Sequence, residues 1–180
     1  APNRSIFTAE DPVEGTLLGI TQVQVHAAVG LTFTSVLRSL LRQDPDIIMV
    51  GEIRDKETVE IATKAALTGH LVLSTLHTND TASTIERMLN MGVESYLITS
   101  GVNLIIAQRL LRRICEQCKE ESAVAPELFE RLGSHADGPM AARTYRGAGC
   151  DACAQTGYSG RIPIFETMQL TPQIKEKILE

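Results

Sequence analysis

The feature that most constrains the fold of this chain is its four cysteines, which form two C-x-x-C pairs, Cys115 with Cys118 and Cys150 with Cys153. Each pair can bring two thiolates to one metal ion, and two pairs complete a tetrahedral zinc site. The 31 residues between the pairs make a longer loop than such sites usually enclose. Doubling a loop costs only about 0.6 kcal/mol, against about 10–16 kcal/mol for structural zinc binding, so this length is tolerable.

Two other uses of paired cysteines remain open. Two disulfides are disfavoured in a reducing cytoplasm, and a thioredoxin-like redox site needs only one C-x-x-C. Zinc is the favoured interpretation, and its role is predicted to be structural because four thiolates leave no open position for a substrate. The sequence therefore predicts a small zinc-binding tetracysteine subdomain over residues 115–153.

Ahead of the cysteines, strand and helix patterns alternate along the chain. The continuous apolar run from Ile47 to Val50 is typical of a strand covered on both faces of a parallel sheet. Asp55 and Asp80 are placed to cap the N-termini of two helices. The predicted elements are strands at 4–10, 19–25, 47–50 and 71–76 and helices around 36–42, 56–68 and 80–92. This rhythm predicts an α/β fold with a mainly parallel sheet flanked by helices.

The last third of the sequence changes character. A helical segment is predicted from about 95 to 114, with Arg109, Arg112 and Arg113 on a face that is solvated by default. The later elements are predicted as a short helix near 126–132, a loop at 133–142, a strand at 161–170 and a final helix opened by Thr171 and Pro172. These patterns divide the chain into a core at 1–114, the cysteine subdomain at 115–153 and a closing strand and helix at 154–180.

Composition narrows the classes of function. The formal net charge is −5 and aromatic residues make up 4% of the chain, which disfavours a protein that grips nucleic acid. We read no signal peptide and no membrane-spanning segment, and therefore expect a cytoplasmic protein. Because the sequence begins at Ala1 and not at a methionine, we also expect it to start inside a longer protein.

Polar residues follow the predicted strands where ligands of open α/β sheets bind. Glu52 ends the buried run, and a carboxylate there can polarise an attacking water or hold Mg²⁺, or it can simply begin the next turn. Glu10, Asp11 and Glu14 follow the first strand. His70 and His77 bracket another strand; at about 3.3 Å per residue they lie roughly 23 Å apart, too far to share one metal ion. His77 can contact a phosphate or serve as a hydrogen-bonded structural residue.

Three arginines lie nearer this strand edge than the others do. They are Arg38, Arg42 and Arg54. Guanidinium groups suit phosphate and interface contacts, so these three are candidates for binding phosphate or a neighbouring subunit.

Together these segments resemble the C-terminal motor domain of the secretion ATPase superfamily, which powers type II secretion and type IV pilus assembly. Residues 10–14 resemble the family's Asp box, 44–55 its atypical Walker B segment and 68–79 its His box. The paired C-x-x-C is similar to the tetracysteine motif of the assembly and secretion members. The resemblance covers nearly the whole chain, and it implies a RecA-like fold.

The resemblance also implies roles for individual residues. Glu52 would activate the hydrolytic water or support Mg²⁺ bound with ATP, assisted by Glu10, Asp11 and Glu14. His70 and His77 would link the γ-phosphate state to neighbouring elements, and the four cysteines would bind zinc. The family works as a homohexamer, with nucleotide between subunits, on the cytoplasmic face of the inner membrane beside platform proteins.

The sequence departs from the family pattern in one respect. No G-x-x-x-x-G-K-[ST] loop occurs, and none of the five lysines follows a glycine. That loop supplies the backbone cradle and the lysine that hold the β- and γ-phosphates. We therefore interpret the chain as a truncated motor whose P-loop part is missing, and predict that it does not hydrolyse ATP by itself.

The sequence leaves two rival functions open. One is a non-enzymatic, zinc-stapled docking module that binds an inner-membrane platform protein. The other is a hydrolase that uses Glu52 with His70 and His77 on a different metal, which the separation of the two histidines disfavours.

Overall fold

The computed structural model describes residues 4–123 and 144–180. Two compact units divide the chain: Ala1–Gln108 with Phe165–Glu180 form the first, and Arg109–Ile164 form the second. The helix predicted near 126–132 and the loop predicted at 133–142 lie outside the described residues. Within the described ranges, no helix is both long and apolar enough to cross a lipid bilayer.

A four-stranded parallel sheet forms the centre of the first unit. Its strands are β1 (Ile6–Glu10), β2 (Thr21–Gln24), β3 (Ile47–Val50) and β4 (Leu71–Ser74), in the order β2-β1-β3-β4. Ala9 pairs with Val50 and Val50 with Ser74, so these strands reach the same edge of the sheet at their C-terminal ends. We call this the carboxyl edge. The predicted α/β class with a mainly parallel sheet is confirmed.

Five α-helices are described in this unit, and side-chain caps fix where several of them begin. They are α1 (Phe33–Leu40), α2 (Lys56–Leu67), α3 (Thr81–Asn90), α4 (Ser95–Gly101) and α5 (Pro172–Leu179). Asp55 and Asp80 accept hydrogen bonds from the backbone N–H groups of Thr58 and Ser83, as their predicted N-cap positions require. Thr171 caps α5 in the same manner, with Pro172 in its first turn.

Two apolar clusters hold the first unit together. One packs α1 and α2 on a face of the sheet, with Leu37, Ile48 and Val50 completely inaccessible to solvent. The other gathers α3 and α4 around Ile98, and the partly buried Ile174 of α5 packs against it. Because side chains alternate between the faces of a strand, Thr8 and Glu10 of β1 lie on the sheet face opposite α1 and α2.

The second unit contains short strands and the cysteines. Strands β5 (Leu104–Ile114) and β8 (Tyr158–Gln169) pair with each other, and each runs across a boundary between the units. Strands β6 (Lys119–Ser122) and β7 (Thr144–Gly147) form an antiparallel pair. Within the described part of this unit, Cys115 and Cys153 are the only apolar residues that are buried. The unit therefore has almost no hydrophobic core among those residues.

The backbones of Gly147 and Gly157 are in close contact near the cysteines. A Cβ built on Gly147 would lie 2.0 Å from the carbonyl oxygen of Gly157. Gly157 also has a φ of +74°, a left-handed conformation that favours glycine. The two backbones can approach this closely only because neither residue has a side chain.

The helix predicted from about 95 to 114 is wrong in its second half. Helix α4 ends at Gly101, and β5 begins at Leu104, so Arg109, Arg112 and Arg113 lie on a strand. Residues 104–107 alternate between exposed and buried, with Ile105 and Ala107 buried, which is the period of a strand. Pairing with β8 fixes this segment in the extended conformation.

Candidate functional site

The carboxyl edge brings the acidic strand ends together. Gly51 follows β3 and donates its N–H to the carbonyl of Ala9 over 2.7 Å, so Glu52 emerges beside the end of β1. A Cβ at Gly51 would lie 3.1 Å from the Ala9 carbonyl oxygen and 3.4 Å from the Cα of Glu10. The hydroxyl of Thr75, just past β4, donates to the Gly51 carbonyl over 2.6 Å. Three strand ends therefore meet around Glu52.

Glu52 is the most strongly engaged carboxylate at this edge. Arg54 donates a hydrogen bond to one of its oxygens, and Nε2 of His77 lies 3.1 Å from the other. The Glu52 side chain is only 12% exposed, whereas those of Arg54 and His77 are 64% and 88% exposed. The hydrogen bond from Arg54 lowers the pKa of Glu52 despite the opposing effect of burial. Glu52 is therefore an ionised carboxylate at neutral pH.

Glu10, at the end of β1, is more deeply buried than Glu52, and the residue is only 7% exposed. Its Oε1 accepts hydrogen bonds from the Thr8 hydroxyl over 2.5 Å and from Nε2 of Gln22 over 2.9 Å. The bond from Thr8, followed by that from Gln22, lowers the pKa of Glu10 against the opposing effect of burial, and the backbone N–H of Glu14 adds to the lowering. A second fixed negative charge thus lies at the end of β1.

The segment after Glu10 is held by the two glutamines of β2. Asp11 and Pro12 are joined by a cis peptide bond, and both Asp11 and Glu14 are exposed. The N–H of Val13 donates to Oε1 of Gln24 over 2.9 Å. Asp11 therefore lies in solvent beside the buried Glu10. The hydrogen bond to Glu52 and the charge of Glu52 raise the pKa of Arg54, and the charge of Asp11 adds to this effect.

The two histidines lie at opposite ends of β4. His77 contacts Glu52 at the carboxyl edge. His70 precedes β4 at the other edge, where its Nδ1 donates to the carbonyl of Ala65 over 2.9 Å at the end of α2. It lines an open cavity of about 410 Å³ together with Arg4 and Asp46, which form an ion pair. The structure therefore does not bring His70 to Glu52.

The three candidate arginines separate in a similar way. Arg54 contacts Glu52 directly. Arg38 on α1 forms an ion pair with Glu57 on α2, and Arg42 donates to the backbone carbonyl of Arg38 over 2.9 Å. Among the three, only Arg54 has a described contact at the carboxyl edge.

Sequence reasoning did not select Gln22, Gln24 or Thr8. In the register of β1 with β2, Thr8 pairs with Gln22 and Glu10 with Gln24. On each of these two strands the sequence has polar residues two positions apart, and this spacing predicts that the polar side chains of a strand share one face of the sheet. The β1–β2 pairing needed to connect the two patterns could not be read from either segment alone.

The four cysteines form a second candidate site, within the second unit. Their sulfurs all lie within 4.8 Å of one another, and three described pairs are separated by 3.8, 3.9 and 3.9 Å. A disulfide requires about 2.05 Å, so these are free thiols and not bridged pairs. A tetrahedron with Zn–S distances of about 2.3 Å has edges of about 3.8 Å. The donor set and its spacing therefore fit a tetrahedral zinc ion.

Backbone donors favour the ionised form of one of these thiols. Sγ of Cys153 accepts from the N–H groups of Cys150 at 3.3 Å and Gly157 at 3.2 Å. Burial opposes ionisation of Cys153, but these hydrogen bonds outweigh it and lower its pKa to about 6. Burial raises the pKa of Cys118 to about 12. Four thiols this close resist carrying several negative charges unless a cation neutralises them.

Comparisons with known proteins identify the family of this chain. The family model described as Type II/IV secretion system protein matches residues 1–180. The chain is 51% identical over 178 residues to the type IV pilus assembly ATPase PilB of Thermus thermophilus, covering 99% of this chain and 20% of that protein. It is 49% identical over 180 residues to the putative type II secretion system protein E of Escherichia coli K12, covering 99% of this chain and 36% of that protein.

The fold also has a solved counterpart. The crystal structure of the pilus retraction motor PilT with bound ADP superposes with a TM-score of 0.67 at 29% identity, covering 98% of this chain and 41% of that one. The chain thus spans only a fifth to about two fifths of the length of the proteins it matches here.

Proposed function

The chain belongs to the family of type II/IV secretion system proteins, and we propose that within its full-length protein it forms the hydrolytic edge of an ATP-driven motor for pilus assembly or type II secretion. The observation that carries this proposal is the placement of Glu52. Its ionised carboxylate lies at the end of a buried parallel strand and is held by Arg54 and His77. Ligands of open α/β sheets bind at that edge.

In this proposal the reaction is phosphoryl transfer from Mg²⁺-bound ATP to water. Glu52 accepts a proton from the attacking water or supports the Mg²⁺, since both tasks require an ionised carboxylate. Glu10 contributes a second fixed charge, and the exposed Asp11 and Glu14 assist with the metal and the water. The low pKa of Glu52 favours the anionic form that either task needs.

The histidines receive different roles in this proposal. His77, with its imidazole on Glu52, links the state of the γ-phosphate to the segment that leads into α3. His70 acts indirectly, because its ring holds the last turn of α2 at the opposite edge. A hydrolase with one metal shared by both histidines is disfavoured by this arrangement.

The larger assembly follows from the family resemblance. We propose a homohexamer on the cytoplasmic face of the inner membrane, with ATP between subunits and platform proteins as partners. Arg38, Arg42 and Arg54 remain candidates for phosphate or inter-subunit contacts; all three guanidinium groups lie on exposed residues. In the cysteine cluster, zinc is structural, because its four thiolate ligands stabilise the fold of the second unit.

The test of this function is ATP hydrolysis by the full-length protein that contains this chain. Glu52→Gln should reduce turnover by at least about a hundredfold while ATP binding is retained, since removal of a catalytic general base costs about 10²–10⁴-fold. Glu176→Gln is the control, because Glu176 is an exposed glutamate on α5. Full activity of Glu52→Gln would refute the proposed role.

The isolated chain gives a second test. It contains no G-x-x-x-x-G-K-[ST] loop, so it should not turn over ATP by itself. Turnover by the isolated chain that Glu52→Gln abolishes would contradict this expectation.

A zinc-stapled docking module for a platform protein is the alternative, favoured by the cysteine cluster in a unit with almost no apolar core among its described residues. Glu52→Gln and Cys150→Ser, compared in the full-length protein, separate the two functions. A motor function at the carboxyl edge predicts loss of hydrolysis on Glu52→Gln, whereas a pure docking function predicts loss of platform binding on Cys150→Ser with no hydrolysis to lose.

A further inference from the structure

The amide of Gln22 is fully engaged between Glu10 and the segment that follows it. Its Nε2 donates to Oε1 of Glu10 over 2.9 Å and to the carbonyl of Gly15 over 3.0 Å. Its Oε1 accepts from the N–H of Leu17 over 2.7 Å. One side chain therefore connects the buried carboxylate to two points on the segment from Asp11 to Leu18.

The partners fix the orientation of this amide. A carbonyl and a carboxylate can only accept, so they must face the NH₂ group, and a backbone N–H can only donate, so it must face the oxygen. Rotating the amide by 180° would break all three hydrogen bonds. The arrangement requires two donors and one acceptor at the end of a side chain of this length.

We propose that Gln22 is the positioning residue that holds the carboxylate of Glu10 in place for ATP hydrolysis. This inference rests on the proposed function. Thr8 fixes Glu10 from its own strand, since the two residues lie on the same face of β1. Gln22 is the contact from β2, the strand that pairs with β1 on the side away from β3.

The buried position of Glu10 makes this contact consequential. At 7% exposure, its carboxylate has little access to water that would replace a lost donor. A charged group left short of a hydrogen bond in such a place moves toward solvent or gains a proton. Either response removes a fixed negative charge from the end of β1.

Gln24 provides a matched control on the same strand. It has the same side chain, lies two residues further along the same face of β2 and binds the same segment through the N–H of Val13. Its amide has no described hydrogen bond to Glu10. Replacement of Gln24 therefore disturbs the segment and the strand without removing a donor from the carboxylate.

The experiment measures steady-state ATP hydrolysis by the full-length protein with Gln22→Met, Gln24→Met, Glu10→Gln and the combined Gln22→Met/Glu10→Gln. Gln22→Met should lower kcat by about tenfold or more, the effect of losing a hydrogen bond to a charged group. Gln24→Met should lower kcat less than Gln22→Met does, because it loosens the segment but leaves both side-chain donors to Glu10 in place. In the Glu10→Gln background, Gln22→Met should cause almost no further loss, because the charge it positions is already absent.

Two results would overturn the inference. One is an unchanged kcat in Gln22→Met. The other is an effect of Gln22→Met that multiplies with that of Glu10→Gln, because a purely structural role acts independently of the charge on Glu10.

Hydrogen exchange gives a readout that does not depend on activity. In the full-length protein, Gln22→Met should accelerate exchange at the amide of Leu17, whereas Gln24→Met should accelerate it at Val13. If the wild type hydrolyses no ATP, the proposed function fails, and exchange at Leu17 alone then decides whether Gln22 holds the segment. Unchanged exchange at Leu17 would contradict the placement itself.

Discussion

Removing the metal from the cysteine cluster should unfold the second unit while the first unit stays folded. The perturbation is a strong chelator added to the full-length protein under reducing conditions, so that the thiols remain free. The four sulfurs that lie within 4.8 Å of one another would then lose the ion that we propose they share. Because metal binding of this kind is coupled to folding, the loss is a loss of folding free energy.

The magnitude follows from how little else is buried in this unit. Among the described residues from 109 to 164, the buried apolar side chains are Cys115 and Cys153. Even a larger aliphatic side chain contributes only roughly 1.5–3 kcal/mol when fully buried, so these two smaller cysteines together supply at most about 6 kcal/mol. Structural zinc contributes about 10–16 kcal/mol. Metal removal therefore takes away more than the apolar contacts provide, and we expect complete unfolding of the unit.

The assay is hydrogen exchange resolved by peptide, with the released zinc counted in the same samples. Peptides of the second unit should lose protection on chelation and regain it when zinc is restored, whereas β1, β3 and α2 should be unaffected. Cys150→Ser should reproduce the chelated state, and Ser159→Ala, an exposed change in the same unit, should not. Unchanged protection after release of one zinc per chain would refute the reasoning, and the absence of any releasable zinc would refute the metal itself.

Three further predictions concern the first unit. Hydrogen bonds lower the pKa of Glu10 below its ordinary 4.5, so the stability that its carboxylate contributes is complete above pH 4.5 and is lost as the pH falls below that value. In urea titrations, the free energy of unfolding should therefore fall less steeply with acidification in Glu10→Gln than in the wild type. Leu37→Ala should lower the free energy of unfolding by about 2–5 kcal/mol, because Leu37 is fully buried, whereas Leu18→Ala, at a residue 99% exposed, should change it by less than about 0.5 kcal/mol in the same titration. Gly101→Ala should lower the free energy of unfolding by about 1–3 kcal/mol, because the added Cβ would lie 2.3 Å from Cγ2 of Thr63. Adding Thr63→Ser removes that methyl group and should recover most of the loss. Failure to recover it would contradict the steric explanation.

Local signals in the sequence were sufficient for much of the first unit. The apolar run of β3 was predicted with its observed bounds, Ile47–Val50. The capping roles of Asp55 and Asp80 were also correct, because an N-cap depends on a residue and the three that follow it. Glu10, Glu52 and His77 were correctly predicted to lie at one edge of the sheet, because each follows or ends a strand and parallel strands in register end together.

The failures have a common physical origin in contacts between distant segments. Strand β5 was predicted as the second half of a helix, and its extended form depends on pairing with β8, a strand more than 40 residues further along the chain. Gln22 was overlooked because its importance comes from Glu10, 12 residues away on a neighbouring strand.

The contact between Gly147 and Gly157 limits how the sequence of the second unit can diverge. A Cβ on either residue would lie within 2.5 Å of the other's carbonyl oxygen, so neither position accepts a side chain while its partner's backbone stays in place. No single substitution relieves this mutual exclusion. Lineages that drift freely elsewhere in the unit should therefore keep both glycines, or exchange the whole turn between them, which carries Cys150 and Cys153, in one step.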